Sequence, residues 1–340
     1  MQRRATLVVL SRRGRSSIAA ADWDELERRA TVRVVQRNAA PSHDEAVELL
    51  SGADLLGSTN PCLPRFDAAL LDALPDLRAI VLYATGHDHI DSPLLARRNV
   101  GLSVLPDYAT VAVAEHALAL LLALATRLHL AHDRCRGAAA PGASLRGIEL
   151  SDRTIGVIGH GRIGSRVARM CAALGSTIVV CDVEPEAVAA ATATGFATAD
   201  LARVLERSDA VVVCASHEHG APPIIGKREL DVLRPGSLLV NVSRSALVDT
   251  DATLAAIRAG RVRGYAVDDI VVDPHSDGDL LEEGRVLQTG HSAWWRDEVL
   301  QRGARMWSEN LLAAVNGDLR SDVTRTGAVG GPPVRPRSCP

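Results

Sequence analysis

An excess of charge is the first thing that this 340-residue sequence lacks. The formal net charge is −3, which argues against a general binder of nucleic acid or of anionic membranes. Lysine occurs once, at Lys227, so arginine carries nearly all the positive charge, and no function follows from that bias. The hydrophobic share of 47% and the charged share of 23% are ordinary for a soluble globular protein, and the length allows two domains.

Long apolar runs are also missing. The longest, Ala117 to Ala125, is far shorter than a membrane span and predicts a helix buried on all sides. The opening residues MQRRATLVVLSRRGRSS contain an apolar core of only five residues, which is too short for a signal peptide. The six cysteines are scattered without a CxxC pair, and several lie in apolar runs, as reduced core cysteines do. We therefore expect a cytoplasmic protein.

Short apolar strands alternate with amphipathic helices twice along the chain, which predicts two α/β units with parallel sheets. In the first hundred residues the strand candidates are 6–10, 32–36, 53–58, 77–84 and 100–105, and the helix candidates are 22–30 and 43–52. One long helix follows Pro106, and a second alternation begins at Thr154 after a loop. The last clear helix is predicted at about 296–316, and the Gly/Pro-rich tail 326–340 is expected to be disordered.

The second alternation opens with a nucleotide-binding pattern. Gly159, Gly161 and Gly164 form G-x-G-x-x-G between a β-branched strand and a helix, where they allow a tight turn, close approach of a pyrophosphate, and helix–strand packing. The helix N-terminus adds N–H groups and a positive dipole for the phosphates. Asp182 ends the next strand, where a carboxylate can bind the ribose hydroxyls of NAD and repel the 2′-phosphate of NADP. We predict NAD; the alternative is a strand–helix turn without a ligand.

Three polar side chains follow later strands of the same unit. Arg244 follows LLVNVS, Asp273 follows YAVDDIVV, and His291 follows RVLQT. Strand C-termini line the ligand site of a parallel sheet, and these groups suit interconversion of a 2-oxo acid and a 2-hydroxy acid. His291 would act as general acid and base, Arg244 would hold the carboxylate and polarise the carbonyl, and Asp273 would orient the imidazole. The alternatives are a surface arginine, a turn residue before Pro274, and a loop histidine.

Six segments, in order, resemble the NAD-dependent D-2-hydroxyacid dehydrogenase family over about residues 50 to 320. They are ATGHDHID (84–91), VAVAEHALALLLAL (111–124), GVIGHGRIGSRVA, LRPGSLLVNVSRSALVD, YAVDDIVVDP and TGHSAW. The resemblance implies a substrate domain of residues 1–105 completed by 297–325, an NAD-binding Rossmann domain of residues 106–296, and a homodimer. We therefore predict an α/β protein with two Rossmann-like or flavodoxin-like parallel-sheet domains separated by a cleft. It would interconvert a D-2-hydroxy acid and a 2-oxo acid.

The resemblance also implies binding roles for single residues. For the substrate, the candidates are Thr85, Gly86 (through its backbone N–H), Arg244 and Trp294. For the cofactor, the candidates beyond the glycines and Asp182 are Arg162 and Ile163 at the pyrophosphate, Asp268 at the nicotinamide carboxamide, and Ser216 and Ser243. The histidine pairs HDH at 87–89 and HEH at 217–219 lack a companion ligand at suitable spacing, so no metal is predicted.

Departures from the family pattern leave two other functions open. Ser245 stands where the family mostly has glycine, Gly290 where it usually has proline, and Asp273 where it generally has glutamate. HSAWW resembles the C-terminal binding protein branch of NAD-sensing corepressors, although Leu82 stands where that branch has an arginine. Trp294 would then either contact an apolar substrate side chain or serve only packing. The alternatives are an NAD(H)-dependent binding or regulatory protein with weak catalysis, and oxidation of another small anion such as formate or phosphite.

Overall fold

The protein consists of two compact units in the computed structural model, which describes residues 3–217 and 220–326. The N-terminal unit contains Met1–Tyr108 together with the segment from Asp297, and the central unit contains Ala109–Arg296. The sequence predicted these breaks after residues 105 and 296. Of the tail predicted to be disordered, all but residue 326 lies outside the described residues.

The N-terminal unit is built on a five-stranded parallel sheet with strand order β2-β1-β3-β4-β5. Its strands are β1 (Thr6–Ser11), β2 (Thr31–Gln36), β3 (Leu55–Thr59), β4 (Ala79–Tyr83) and β5 (Gly101–Ser103). Its helices are α1 (Ala20–Arg29), α2 (His43–Leu50), α3 (Ala68–Ala73) and α4 (Ser92–Arg97), with the C-terminal α13 (Asp297–Val315) and α14 (Val323–Thr326).

Helix α13 packs closely on this sheet although it comes almost 200 residues later in the chain. Trp307, fully buried, donates from its indole N–H to Val81 O at 3.0 Å. An added Cβ at Gly57 in β3 would lie 2.8 Å from Leu311, so glycine lets the helix approach the strand. The C-terminal helix therefore belongs to the core of the N-terminal unit.

The central unit is built on a seven-stranded parallel sheet with strand order β12-β11-β10-β9-β6-β7-β8. Its strands are β6 (Thr154–Ile158), β7 (Thr177–Cys181), β8 (Ala197–Thr198), β9 (Ala210–Val213), β10 (Ser237–Asn241), β11 (Val262–Val267) and β12 (Val286–Gln288). Its helices are α5 (Thr110–Thr126), α6 (Leu128–Cys135), α7 (Gly164–Ala173), α8 (Pro185–Ala193), α9 (Leu201–Arg207), α10 (Lys227–Val232), α11 (Thr250–Arg258) and α12 (Pro274–Glu282).

The long helix predicted after Pro106 is interrupted, and this corrects the sequence-based expectation. Arg127 has φ 60°, in the left-handed region, and separates α5 from α6. The two helices meet at a bend of 66°. No single helix among the described residues is long and apolar enough to cross a membrane, whereas this bent pair taken together has the length and the apolar composition of a span. The run Ala117 to Ala125 is also less covered than predicted, since Ala119 is exposed and Leu118 and Leu122 are only partly buried.

The carboxyl ends of β10, β11 and β12 lie level with one another. In the sheet register Asn241 pairs with Val267, and Val267 pairs with Gln288. The turns that follow these three neighbouring strands carry Arg244, Asp268 and His291. The order of strands thus brings the candidate residues to one edge of the sheet.

Candidate active site

The phosphate loop is shaped by contacts that only glycine permits. Gly159 has φ 88°, and a Cβ there would lie 2.6 Å from the backbone nitrogen of Ala215. A Cβ on Gly164 would lie 1.8 Å from Gly159 O. A Cβ on Gly161 would meet nothing within 4 Å. Packing therefore requires the first and third glycines, whereas the second leaves open the space that a pyrophosphate needs.

The surroundings of the loop also suit a dinucleotide. Among the described residues, no side chain caps the amino end of α7, so its terminal N–H groups can serve an anion. The Asp182 carboxylate accepts hydrogen bonds from His160 N at 2.5 Å and Glu184 N at 2.9 Å. A carboxylate offers about four lone-pair sites, so Asp182 keeps acceptors for two ribose hydroxyls. The residues at β6 and β7 thus fit NAD.

His160 is a member of this site that the sequence did not single out. Its side chain is buried, with the ring edge-on to Phe196 at 6.2 Å. Burial lowers the pKa of its imidazole, although the Ala187 backbone and Asp182 oppose that effect. Among the described residues Nδ1 has no hydrogen-bond partner. His160 therefore holds Asp182 through its backbone N–H, and burial of its ring disfavours the charged imidazolium.

The turn that carries Arg244 is built by the buried Asn241. Its side-chain amide donates to Arg244 O at 2.7 Å, and its Oδ1 accepts from Ser243 N at 3.0 Å. Its backbone oxygen accepts from Asp268 N at 3.0 Å. Ser245 begins a short 3₁₀ helix, Ser245–Leu247, with non-positive φ, so serine replaces the family's glycine without strain. Asn241 thus ties the Arg244 turn to the end of β11.

Asp268 organises the loop that carries His291. This buried carboxylate accepts hydrogen bonds from Thr289 Oγ1 at 2.7 Å, Ser292 N at 2.8 Å and Ala293 N at 3.1 Å. The residues on both sides of His291 are therefore fixed to one acid on the neighbouring strand. The sequence predicted Asp268 as a cofactor contact and missed this second role.

A buried histidine extends this network. His116 of α5 lies with Nε2 3.0 Å from Thr289 Oγ1 and 3.6 Å from Asp268 Oδ1. Arg296 approaches its Nδ1 at 3.2 Å. Burial lowers the pKa of His116, Asp268 raises it, and Arg296 lowers it further. Because Arg296 donates to Nδ1, the neutral ring carries its proton on Nε2 and donates toward Thr289 and Asp268.

His291 is exposed and has an unusual backbone. Both Gly290 and His291 have φ 59°, in the left-handed region. Proline, with φ fixed near −65°, could not adopt the conformation of Gly290. A non-glycine residue in that region costs of the order of 1–2 kcal/mol, and such strain is typical of functional positions. The change from proline to Gly290 therefore accompanies a different loop conformation.

The predicted pair of Asp273 and His291 is not formed. The exposed Asp273 is the N-cap residue directly before α12, and its carboxylate accepts a hydrogen bond from His275 N at 2.9 Å. Among the described residues His291 has no hydrogen-bond partner. The physical reason is local: an aspartate before Pro274 has the short acceptor that caps a helix start. Its catalytic role therefore stays a prediction.

The other candidate residues occupy several loops. Thr85, whose hydroxyl donates to Leu105 O, and Gly86 lie half-buried in the N-terminal unit. In the central unit the half-buried Trp294 lies edge-on to Trp295, with ring centroids 4.9 Å apart. The positions of the remaining cofactor candidates are as follows: Arg162 and Ile163 in the phosphate loop, Ser216 after β9, and Ser243 after β10.

Within residues 3–217 and 220–326, no group of three or more His, Cys, Asp or Glu side chains is placed to hold a metal ion. Glu218 and His219 of the HEH motif lie outside the described residues. Every cysteine in the described part is a free thiol. The parallel sheet, the glycine loop and Asp182 define a dinucleotide-binding unit of the Rossmann type.

Comparisons with known proteins identify the family. The family model described as D-isomer specific 2-hydroxyacid dehydrogenase, NAD binding domain, matches residues 118–293. The D-3-phosphoglycerate dehydrogenase of Mycobacterium tuberculosis is 32% identical over 263 residues, which are 77% of this chain and 49% of that protein. The glyoxylate reductase of Thermococcus gammatolerans is 31% identical over 264 residues, covering 75% of this chain and 78% of that protein.

A solved structure agrees with these matches. The crystal structure of D-lactate dehydrogenase from Aquifex aeolicus, complexed with NAD and lactic acid, is 25% identical with a TM-score of 0.75 and covers 96% of this chain and 99% of that chain. The chain therefore belongs to the family of D-isomer specific 2-hydroxyacid dehydrogenases. It spans about half the length of the phosphoglycerate dehydrogenases that it matches. The family, the two parallel-sheet α/β units and the NAD cofactor are thus confirmed.

Proposed function

We propose that this protein interconverts a D-2-hydroxy acid and the corresponding 2-oxo acid. The observation that carries the proposal is the hydrogen-bonded connection of three turns at one edge of the sheet. Asn241 is hydrogen-bonded both to the Arg244 turn and to the backbone of Asp268. The Asp268 carboxylate in turn accepts hydrogen bonds from residues on both sides of His291. The same edge carries the phosphate loop after β6. NAD, when bound, supplies or accepts the hydride.

His291 is the proton donor and acceptor of the proposed reaction. In the direction of reduction, negative charge develops on the carbonyl oxygen of the 2-oxo acid, and protonated His291 donates a proton to that oxygen. In the direction of oxidation, neutral His291 accepts the hydroxyl proton. Its exposed ring on a strained and anchored loop supports this role.

Arg244 binds the substrate in this proposal. Its guanidinium presents a planar set of donors that matches a carboxylate and a neighbouring carbonyl oxygen. Asn241 fixes the backbone of its turn, which supports a positioned rather than a mobile arginine. The family resemblance adds the backbone N–H of Gly86 and the side chain of Thr85 as further proposed contacts.

The apolar side chains beside His291 favour a substrate with an apolar group on C2. Ile270 is 70% exposed in the turn after β11, and a Cβ on Gly290 would lie 3.6 Å from it. Trp294 and Trp295 follow in the next loop, and Trp295 is 58% exposed. Exposed apolar groups at a ligand-binding edge are typical of contacts with apolar ligand surface.

The proposed cofactor preference is NADH over NADPH. Asp182 places a negative charge at the end of β7, where a 2′-phosphate would meet it, and Val183 provides no compensating cation. Initial rates with equal concentrations of the two cofactors test this preference, which an equal or faster rate with NADPH would contradict.

A second candidate is an NAD(H)-dependent binding protein with weak catalysis. One observation favours it: Asp273 caps α12 and leaves the His291 imidazole without an acid partner among the described residues. Under this alternative, NADH-dependent assembly should survive Arg244→Gln although turnover is very low. Sedimentation of wild-type and variant protein with and without NADH measures this.

The homodimer and the cytoplasmic location are also proposals. On α5 the side chains of Val111, Leu118 and Leu122 lie on one helical face and are incompletely buried, which supports contact with a second copy. Light scattering coupled to size exclusion should give twice the mass of one chain. A monomer at all concentrations would contradict the dimer.

The test of the proposed reaction is NADH oxidation with a panel of 2-oxo acids, supplemented by NAD⁺ reduction with formate and phosphite. We expect turnover with at least one 2-oxo acid bearing an apolar group, and a loss of about 10²- to 10⁴-fold in His291→Gln with NADH affinity retained. His275→Gln, in the first turn of α12, is the matched control. Equal turnover in wild type and His291→Gln would contradict the assignment, and turnover with formate or phosphite alone would assign another donor.

A further inference from the structure

A cavity of about 430 Å³ lies in the central unit, away from the edge that carries His291. Arg263, the second residue of β11, and Arg285, directly before β12, line it. Both positions are at the amino ends of strands whose carboxyl ends precede Asp268 and His291. The cavity therefore lies at the opposite edge of the sheet from the phosphate loop and the candidate active site.

The walls of this cavity carry a concentrated positive charge. Four arginines line it, namely Arg127, Arg146, Arg263 and Arg285, against one carboxylate, that of Glu283. The remaining wall is the segment 140–144, which consists of alanine, proline, glycine and serine. At neutral pH the lining side chains therefore sum to about three positive charges, because an arginine guanidinium stays protonated.

Two of the arginines are anchored by the protein. The buried Arg127 donates to Gly284 O at 2.6 Å, Glu283 O at 2.5 Å and Ser144 O at 3.3 Å. Arg285 donates to Ile257 O and lies 3.6 Å from the Glu283 carboxylate. These contacts explain why a cation is tolerated here, since both guanidinium groups bind carbonyl oxygens at the C-terminal ends of helices, α12 for Arg127 and α11 for Arg285, and such ends favour positive charge.

The other two arginines retain donors. Among the described residues the Arg146 guanidinium, which is exposed, has no hydrogen-bond partner, and Arg263 donates one hydrogen bond, to Arg146 O. The pKa of Arg127 is lowered, mainly by burial and to a smaller extent by repulsion from Arg263 and Arg285, while the Glu283 carboxylate acts in the opposite direction. An anion between these guanidinium groups would offset that repulsion.

We propose that this cavity binds a small phosphate-bearing anion through Arg146 and Arg263. Phosphate oxygens accept paired hydrogen bonds from a guanidinium fork, and arginine is the preferred residue for such contacts. The cavity volume lies within the range of small-molecule pockets, roughly 300–1,000 Å³. The short side chains of segment 140–144 leave room beside the four cations. The site is separate from the proposed reaction and does not depend on it.

The test is calorimetric titration of inorganic pyrophosphate into the full chain saturated with NADH, at constant ionic strength. Saturation with NADH occupies the phosphate loop, which is the other place where pyrophosphate could bind. We expect one binding event per chain, weakened about tenfold or more in Arg146→Gln, because a charge-assisted hydrogen bond is lost. Arg228→Gln on α10 removes the same charge elsewhere on the central unit and should bind as wild type does.

Because the Arg146 side chain is exposed and its guanidinium has no hydrogen-bond partner among the described residues, this variant is expected to unfold at the wild-type temperature without pyrophosphate. Pyrophosphate should raise the unfolding midpoint of wild type and Arg228→Gln more than that of Arg146→Gln. Absence of binding to the NADH-saturated wild type would overturn the proposal. Equal affinity in Arg146→Gln and Arg228→Gln would overturn it as well, and neither result would bear on turnover of 2-oxo acids.

Discussion

The two halves of the seven-stranded sheet hold their functional residues in different ways. At β6 and β7 the glycine loop is determined by van der Waals contact, since a single methyl group on Gly164 would overlap Gly159 O. At β10, β11 and β12 the turns are held by buried polar side chains, chiefly Asn241 and Asp268. The nucleotide half is therefore sensitive to added volume, and the catalytic half to loss of hydrogen-bond acceptors.

This difference explains how the two halves tolerate change. The nucleotide half keeps the sequence pattern of its family, because close backbone contacts permit few residues. In the catalytic half, Ser245, Gly290 and Asp273 all depart from that pattern, while the network around Asp268 remains complete. Side-chain identity at the surface of these turns can vary as long as the buried acid holds the backbone.

Among the changes that test this comparison of the two halves, the largest expected effect comes from adding a methyl group to the glycine loop. In Gly164→Ala the Cβ would lie 1.8 Å from Gly159 O, so the loop must open. Overpacking of this kind costs about 1–3 kcal/mol, and NADH affinity should fall by up to about 100-fold. Gly161→Ala is the matched control for stability, since its Cβ meets nothing within 4 Å. It should unfold as wild type does and bind NADH about tenfold more weakly; unchanged NADH binding in Gly164→Ala would contradict this account.

Removing the acceptor in the catalytic half should have the next largest effect. Asp268→Asn presents an amide N–H₂ to the donors Thr289 Oγ1, Ser292 N and Ala293 N, so at least one bond is lost. An unsatisfied buried group costs about 1–3 kcal/mol, and displacement of His291 should lower kcat about 10- to 100-fold. Steady-state kinetics and urea unfolding measure both effects. The control Asp269→Asn, at the neighbouring residue, should change kcat and the free energy of unfolding only slightly. If Asp269→Asn and Asp268→Asn had equal effects on both quantities, Asp268 would have no special role.

The same comparison explains how much could be predicted from the sequence. The phosphate loop and Asp182 lie within 24 residues and depend on local pattern, so they were recognised directly. The contact of His116 with Thr289 joins residues 173 positions apart, so no short sequence motif could predict it. The interruption at Arg127 was also hidden, because the apolar pattern continues from α5 into α6. At this interruption the Arg127 guanidinium reaches the end of α12, more than 150 residues away, which a local pattern does not reveal.

A smaller effect is expected on the pH dependence of stability. Because burial lowers the pKa of His116 from 6.5, the unfolded chain binds its proton more readily than the folded chain. This contribution to the free energy of unfolding is complete above pH 6.5 and is lost as the pH falls through the lowered pKa. When the pH is lowered from about 7.5 to about 5.5, the urea concentration at half-unfolding should fall less in His116→Gln than in wild type. The exposed His43→Gln should follow wild type, and parallel curves for all three proteins would be inconsistent with the assignment.

The smallest effect on turnover is expected at Asp273. Asn is as good a helix cap as Asp, so Asp273→Asn should keep both stability and kcat, whereas Asp273→Ala should lose about 0.5–2 kcal/mol of stability. If Asp273 instead pairs with His291 during the reaction, Asp273→Asn should lower kcat and shift its pH optimum for reduction downward. Kinetics across pH for the two variants separates a cap from a catalytic acid.

The central claim is that the chain transfers hydrogen between NADH and C2 of a 2-oxo acid. The most direct measurement is mass spectrometry of the product formed with NADH that carries deuterium at the transferred C4 position. We predict a 2-hydroxy acid with one deuterium on C2 and no loss of label to solvent, and no such product from His291→Gln within the same time. A product without deuterium, or no product from any 2-oxo acid in the panel, would contradict the claim.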